Sequence, residues 1–520
     1  MSVLSSLGLS PLNQQLTSIT SDSRQVQAGS LFLAYPGARS DGRDYITQAI
    51  QSGAAAVVWE RQLDGKSEFA WNPEWQVSNI GVANLKHQVG QIAAEYYQYP
   101  SDKLTMIGVT GTNGKTSVSQ WIAQCLTLLG QKTAVLGTIG NGMLTHGFAD
   151  AGKQSNTLAE ATNTTPDAIL LQGMLASFVQ QQADAVVMEV SSHGLDQRRV
   201  NGVTFDIAVL TNLSRDHLDY HDTMEDYAAA KQKLFDWEGL SVAILNADDA
   251  FGQALASSLK ASPHKNQAKS FVTYGLQGAA DISASNLELH QQGLSMLVST
   301  PQGNAQLTAP VLGRFNAYNV LAVLATLLAL DISLPDALAA IAQIKPVTGR
   351  MQQFGGGELP LVVVDYAHTP DALEKVLSTL KEQIQHEQLQ ASQRPSKLVC
   401  VFGCGGDRDA GKRPLMGAVS SKLADTVIVT SDNPRSEEPA AIIHDIVSGM
   451  ASGFLIEPDR ATAIRKAVQS ASRGDIVLVA GKGHESYQEI SGIRTPFSDA
   501  QVAQDALNQY PAGMKAGASL

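Results

Sequence analysis

The chain has little of what would mark a disulfide-stapled, membrane or nucleic-acid protein. Its 520 residues hold three cysteines, Cys125, Cys400 and Cys404. So odd and sparse a set excludes a disulfide framework and lacks the paired spacing of a zinc site. Cys400 and Cys404 flank a strand end and read as small packing residues. Charged residues make up only 17% and aromatics 6%, with a formal net charge of −12. That balance excludes a basic nucleic-acid face, so an anionic ligand has to be met by local donors and cations. The longest apolar run, VLAVLATLLAL at 320–330, is too short to cross a bilayer. The opening MSVLSSLGLSPLNQQ has neither a basic n-region nor a long apolar h-region, so no signal peptide is expected. A reduced, cytoplasmic location fits these absences best.

What is present reads as α/β throughout. A hydrophobic share of 44% is ordinary for a globular protein, and 520 residues exceed what one core serves, so three domains are expected. Residues 1–102 form a small α/β unit: SLFLAYPG and AAAVVWE are strands, DYITQAIQSG is a helix, and KHQVGQIAAEYY runs into the polar break QYPSDK. Residues 103–346 carry the buried strands LTMIGVTG, DAVVMEV, DIAVLTNL and SVAILNA with helices between, the pattern of a mostly parallel sheet. Alternation near 281–312 predicts an appended antiparallel hairpin, and a helix follows at 316–330. Residues 347–520 repeat the rhythm with LPLVVVDYAH, KLVCVFGCGG, DTVIVTS and DIVLVAGKG. Each polar cluster follows the C-terminal end of a strand, the edge where open α/β sheets bind ligands.

GTNGKTS at 111–117 lies between a strand and a helix. The GxxGK[ST] spacing is shorter than the usual Walker motif, yet the context is that of a phosphate loop. Backbone N–H groups of Gly111, Thr112, Asn113 and Gly114 can turn toward a polyphosphate at the helix N-terminus, where Ser117 continues the first turn. Lys115 would neutralise the β- and γ-phosphates and the Thr116 hydroxyl would ligate Mg²⁺. Glu189 ends an apolar strand in MEVSSHGLDQRR, and a buried carboxylate there needs a partner such as Mg²⁺. Ser191, Gln197 and Arg199 follow and could hold a second, anionic substrate. His217 in TNLSRDHLDYH precedes Lys231 by fourteen residues. By composition alone these two are a loop histidine and a solvated helix lysine. TSDNPRSEE at 430–438 sets Asp432, Asn433, Pro434 and Arg435 at a strand end, either a plain Asn-Pro turn or a pocket for a ligand with ammonium and carboxylate groups.

GTNGKT, MEVSSHGL, TNLSRDHLDYH with a later AAK, GRM, DYAHTPDAL, FGCGGDRD, DNPR and GKGHE occur in this order over about 110–485. Together with DSR and SDGR near the N-terminus, the chain resembles the Mur ligase family of peptidoglycan synthesis. The resemblance implies a small N-terminal UDP-binding α/β domain, a central phosphate-loop ATPase domain and a C-terminal Rossmann-like domain that binds an amino acid. It implies an ATP-dependent amide ligase that joins meso-diaminopimelate to UDP-N-acetylmuramoyl-L-alanyl-D-glutamate through an acyl phosphate. The implied cofactor is Mg²⁺, as two ions, with Thr116 and Glu189 as ligands, His217 on the second ion and a carbamylated Lys231 as a further ligand. Ser21 and Ser23 would meet the UDP end, and the loop Ala38, Arg39, Ser40 aligns with another contact but differs in residues. Asn163, Thr164 and Thr165, with Ser191, Gln197 and Arg199, would meet the muramoyl peptide. Arg350, Asp365 and His368 would meet nucleotide on closure. Arg408, the DNPR residues, Gly481 and Glu485 would hold diaminopimelate, with Arg435 on the carboxylate that L-lysine lacks. The same reaction with L-lysine, or a non-catalytic ATP-binding regulator, stand as alternatives. A monomer is expected.

Overall fold

The computed structural model describes residues 16–37, 40–61, 69–144, 158, 159, 161, 163–261, 269–290, 293–390 and 395–510, the side chains of 386–390 excepted. Ala38 and Arg39 of the 38–40 loop lie outside the described residues.

Among the described residues three larger sheets follow one another along the chain, and a two-stranded hairpin stands beside the last. Ser18–Thr20, Ser30–Ala34, Ala56–Glu60 and Ser78–Val82 form a parallel four-stranded sheet in sequence order. Beside its last strand, the Glu60 carboxylate accepts from the backbone N–H of Asn84 (2.9 Å) and Leu85 (2.6 Å). It so places negative charge at the N-terminus of helix Leu85–Tyr96.

The second sheet has ten strands. At its centre Thr105–Thr110 lies between Ala185–Glu189 and Ile207–Leu210, all parallel. These strands are apolar on both faces because both faces are covered. Ile107 and Val109 enter one core with Trp121, Ile122 and Leu126 of helix Lys115–Leu128 and Val320, Leu321 and Leu324 of helix Arg314–Ala329. Met106 enters the opposite core with Leu171, Leu175 and Phe178 of helix Ala168–Gln180. Truncating one of these, Leu321→Ala for instance, should cost about 2–5 kcal/mol. The expected hairpin is a longer feature: Ile282–His290, Gly293–Thr300 and Gly303–Ala309 make an antiparallel meander that extends the same sheet. The third strand alternates weakly (GNAQLTA), so the period-2 signal faded before it ended.

Leu361–Asp365, Ile476–Ala480, Leu398–Phe402, Thr426–Val429 and Phe454–Ile456 form the parallel part of the third sheet, with Gln352–Gly355 antiparallel at one edge. Behind it lies a wholly buried ion pair. Arg460 meets both Asp499 oxygens at 2.7 Å and donates to the Ala480 carbonyl at 2.9 Å. That contact anchors the strand end from which Gly481 and Glu485 continue. Among the described residues no helix is long and apolar enough to cross a membrane.

Candidate active site

The phosphate loop leaves strand Thr105–Thr110 and enters helix Lys115–Leu128 through Gly114, whose φ is 87°. Gly111 has φ 145°, and a Cβ there would lie 1.9 Å from Thr211 Oγ1. Only glycine fits. Lys115 Nζ donates to the carbonyls of Gly111 (2.8 Å) and Thr112 (2.9 Å). Burial lowers its pKa, against the charges of Glu189 and Asp216.

Glu189 ends the neighbouring strand at the same sheet edge. Its Oε2 accepts from Thr116 Oγ1 (2.9 Å) and Thr138 Oγ1 (3.0 Å), and its Oε1 from the Thr138 N–H (2.8 Å). A carboxylate and two hydroxyls converge there, an all-oxygen donor set that fits a hard divalent cation. Arg350 Nη2 reaches the same Thr116 oxygen at 3.1 Å, and its guanidinium stacks 4.6 Å from the Tyr366 ring centroid.

Lys231 is placed by helix Met224–Gln232, whose N-terminus Thr223 caps with a bond from Asp226 N–H (3.1 Å). It is not the solvated lysine its composition suggested. Its Nζ is buried, donates to the Gly111 carbonyl at 3.0 Å and lies 4.4 Å from the Tyr227 ring. Burial, then the nearby Lys115 charge, pushes its pKa well below the ordinary range. A neutral amine is the form that takes up CO₂. His217, at φ 55°, sets Nε2 3.5 Å from Asp216 Oδ2, and burial lowers its pKa to about 4. Burial opposes the Asp216 charge, but His217, His368 and Lys115 hold it below the usual carboxylate range.

One cleft of about 1390 Å³ joins this region to the third sheet. It is lined by the loop residues from Thr112 to Ser117 and by Glu189, His217 and Lys231. Asn163, Thr164, Ser191 and Arg199 border it, as do Arg350, Asp365 and His368. On the far side stand Arg408, Asp432, Arg435, Gly481 and Glu485. Ser21, Ser23, Gly111, Thr165, Gln197, Asn433 and Pro434 are not part of this lining. Ser23 instead donates to Gln48 Oε1 (3.0 Å), while Ser21 bonds to the Tyr35 phenol. Thr165 is fully buried and braces the site: its Oγ1 meets the Glu189 carbonyl and Ser191 Oγ, each at 3.0 Å, and its carbonyl accepts from Arg199 Nη1 (2.8 Å). Gln197 Oε1 holds Arg199 at Nε (3.0 Å) and Nη2 (2.7 Å). The buried Asp365 carboxylate, raised in pKa by burial, accepts from the N–H groups of Met351 and Ala367. His368 Nδ1 meets the Tyr366 carbonyl at 2.8 Å.

The DNPR segment is more than a turn out of strand Thr426–Val429. Arg435, at φ 53°, bridges to Ile490 of the hairpin Tyr487–Ile490 and Ile493–Pro496. The Arg435 N–H donates to Glu489 O (3.1 Å), and Ser491 N–H donates to Arg435 O (2.7 Å). Arg435 Nη1 donates to Gly406 O (2.7 Å), and among the described residues its Nε and Nη2 make no hydrogen bond. A Cβ on Gly406 would come within 1.9 Å of the Pro434 carbonyl, so the two loops approach this closely only with glycine. Asn433 is 1% exposed and bonds to Glu485 Oε2 through Nδ2 (2.7 Å).

Sequence reasoning missed Thr138, Asp216, Asp371 and the hairpin. Thr138 follows the apolar strand Thr133–Gly137, a strand-end signal like the one that marked Glu189. The hairpin carried its own signal in Ser491-Gly492, a turn dipeptide with φ 51° and 76°.

Three family models match the chain in order. "Mur ligase family, catalytic domain" covers residues 15–97, "Mur ligase middle domain" 109–327, and "Mur ligase, glutamate ligase domain" 349–483. UDP-N-acetylmuramoyl-L-alanyl-D-glutamate--2,6-diaminopimelate ligase of Chromobacterium violaceum is 51% identical over 505 residues, 96% of each chain. The ligase of the same name from Pseudomonas aeruginosa is 48% identical over 492 residues, 94% of each. A solved structure of a ligase of that name superposes with a TM-score of 0.67 at 35% identity, covering 98% of this chain and 99% of its own. With all three domain models present and such relatives matched end to end, the chain belongs to the Mur ligase family.

Proposed function

We propose that the chain is an ATP-dependent amide ligase that joins meso-2,6-diaminopimelate to UDP-N-acetylmuramoyl-L-alanyl-D-glutamate in peptidoglycan precursor synthesis. Residues 1–102 take the UDP end with Ser21 and Ser23, 103–346 take ATP, and 347–520 take the amino acid. The observation that carries this reading is the single cleft with the phosphate loop on one side and two guanidiniums, Arg408 and Arg435, beside Glu485 on the other.

ATP's γ-phosphoryl group passes to the free carboxylate of the D-Glu residue, giving an acyl phosphate and ADP. The diaminopimelate amine attacks the acyl carbon, a C–N bond forms, and the C–O bond to phosphate breaks. Phosphoryl transfer asks mainly for positioning and charge neutralisation. Lys115 exchanges its two carbonyl partners for phosphate oxygens, and Arg350, already on Thr116, brings a second cation from the third domain. Arg199, braced by Thr165 and Gln197, orients the muramoyl peptide together with Asn163, Thr164 and Ser191. Thr116, Glu189, His217 and a carbamylated Lys231 would hold Mg²⁺, which when bound supplies further neutralisation of phosphate charge. Asp365 and His368 meet the nucleotide from the third domain. On the amino-acid side, Arg435 forks onto the carboxylate distal to the bond being made, and Glu485 receives an ammonium. The enzyme acts as a cytoplasmic monomer.

The L-lysine reading would leave Arg408 or Arg435, on the amino-acid side of the cleft, without a carboxylate. The non-catalytic reading is disfavoured by the converged oxygens at Glu189 and the buried Lys231. Oxygen-18 in the D-Glu carboxylate tests the chemistry. Released phosphate should carry one labelled oxygen, and only when ATP, the UDP-muramoyl dipeptide and meso-diaminopimelate are all present. Unlabelled phosphate, or release without the dipeptide, would overturn the reading.

A further inference from the structure

The amino-acid pocket contains a lysine to which the reaction above gives no part. Lys482 of GKGHE is 0% exposed, and a buried ammonium is tolerated only when paired and hydrogen-bonded. Here it is both. Its Nζ donates to Asn433 Oδ1 and to Glu485 Oε2, each at 2.9 Å, and lies 5.6 Å from the Tyr487 ring centroid. The Glu489 N–H also donates to Asn433 Oδ1 (3.0 Å). Two donors on that oxygen fix the amide's orientation and turn its Nδ2 to Glu485 Oε2 at 2.7 Å. Glu485 therefore has one oxygen held by two donors, while Oε1 takes no hydrogen bond among the described residues. Glu485 lines the cleft, and Asn433 and Lys482 do not.

We infer that Lys482 is a positioning residue for the amino-acid substrate, clamping Asn433 and the Glu485 carboxylate in one geometry so that the free Glu485 oxygen meets a ligand ammonium. The inference rests on the ligase reading. The clamp joins segments 49 and 52 residues apart, so the pocket's two halves are set relative to each other before the ligand arrives. Lys482 also offsets the Glu485 charge, which otherwise would stand in a cleft wall that includes Asp432. L-Lysine and diaminopimelate both carry ammonium groups, so this clamp serves capture of the amine, while Arg435 serves choice between the two.

The test is a double-variant cycle on steady-state ligation. Lys482→Met keeps the length and removes the charge. It should raise the KM for meso-diaminopimelate about tenfold or more, as expected for one charge-assisted hydrogen bond, with kcat, and the KM values for ATP and the UDP-muramoyl dipeptide, changed less than about threefold. If Lys482 acts through Glu485, Lys482→Met/Glu485→Gln should bind the amine no worse than Glu485→Gln alone. Additive losses, or a fall in kcat at unchanged KM, would overturn the inference. Should Lys482→Met fail to fold, the double variant removes the unpaired buried charge and carries the comparison. If that also fails to fold, Lys482 belongs to the fold and the inference is overturned. If wild type consumes a different amine, the substrate assignment fails, and the same cycle run with that amine still judges Lys482.

Discussion

Asp371, the second residue of the helix Pro370–Gln390, accepts a hydrogen bond from the Asn113 side chain of the phosphate loop at 2.9 Å. Ser214 Oγ adds a second bond at 3.1 Å, and Lys375 holds the same carboxylate from one helical turn away. The third sheet's domain thus touches the glycine-rich loop across the cleft. Asp371→Ala should release this contact. Its side chain is partly exposed, so thermal stability should barely change. In small-angle scattering the ligand-free variant should show a larger radius of gyration than wild type, contracting when ATP and the UDP-muramoyl dipeptide are added. Equal radii in the ligand-free proteins would show that the contact does not hold the domains together.

A second prediction concerns Lys231. Burial, then the nearby Lys115 charge, lowers the pKa of its amine, which favours the uncharged form that reacts with CO₂. Carbon-13 bicarbonate should give a carbamate resonance in wild type that Lys231→Ala lacks. The variant should lose most activity, and added bicarbonate should not restore it. Near-normal turnover at saturating Mg²⁺ would remove the carbamate from the account.

Acid stability offers a third test. Burial holds His193 and His368 at pKa values of about 4 and His484 at about 3, from an ordinary 6.5. The unfolded chain therefore takes up protons first as pH falls. Stability from these groups is full above about pH 6.5 and is lost progressively toward pH 4. The Tm of the ligand-free protein should drop between pH 7.5 and pH 5.5, and His368→Asn should flatten that drop. A Tm independent of pH over this window would show that these rings are not buried neutral.

How much of this was legible in the sequence depended on how local the signal was. GTNGKTS is a contiguous motif, so its place between the strand Thr105–Thr110 and the helix Lys115–Leu128 could be read from its glycines and the apolar runs beside it. Glu189 could be found because a carboxylate at a buried strand end needs a partner. Lys231 was marked only by the family resemblance and not by composition, since its buried partner, the Gly111 carbonyl, lies 120 residues away. The antiparallel meander was read one strand short because GNAQLTA alternates poorly. Nor did composition reveal that DNPR joins the edge of a later hairpin, a pairing of residues 55 apart (Arg435 and Ile490). Thr138 and Asp371 act through side-chain contacts between distant segments, which periodicity does not encode.

The central claim is that this cleft selects a second carboxylate, and the amine preference measures it most directly. Kinetics of ADP release with the UDP-muramoyl dipeptide should be determined for meso-diaminopimelate and L-lysine, in wild type and Arg435→Ala. Wild type should strongly prefer meso-diaminopimelate. Removing the guanidinium should lower its kcat/KM by an amount on the order of 2–5 kcal/mol, the cost of leaving a desolvated charge unpaired. Arg435→Lys should recover only part, since an ammonium lacks the planar fork, and L-lysine should stay poor in both variants. A wild type that prefers L-lysine, or an Arg435→Ala loss below about threefold for meso-diaminopimelate, would contradict the account.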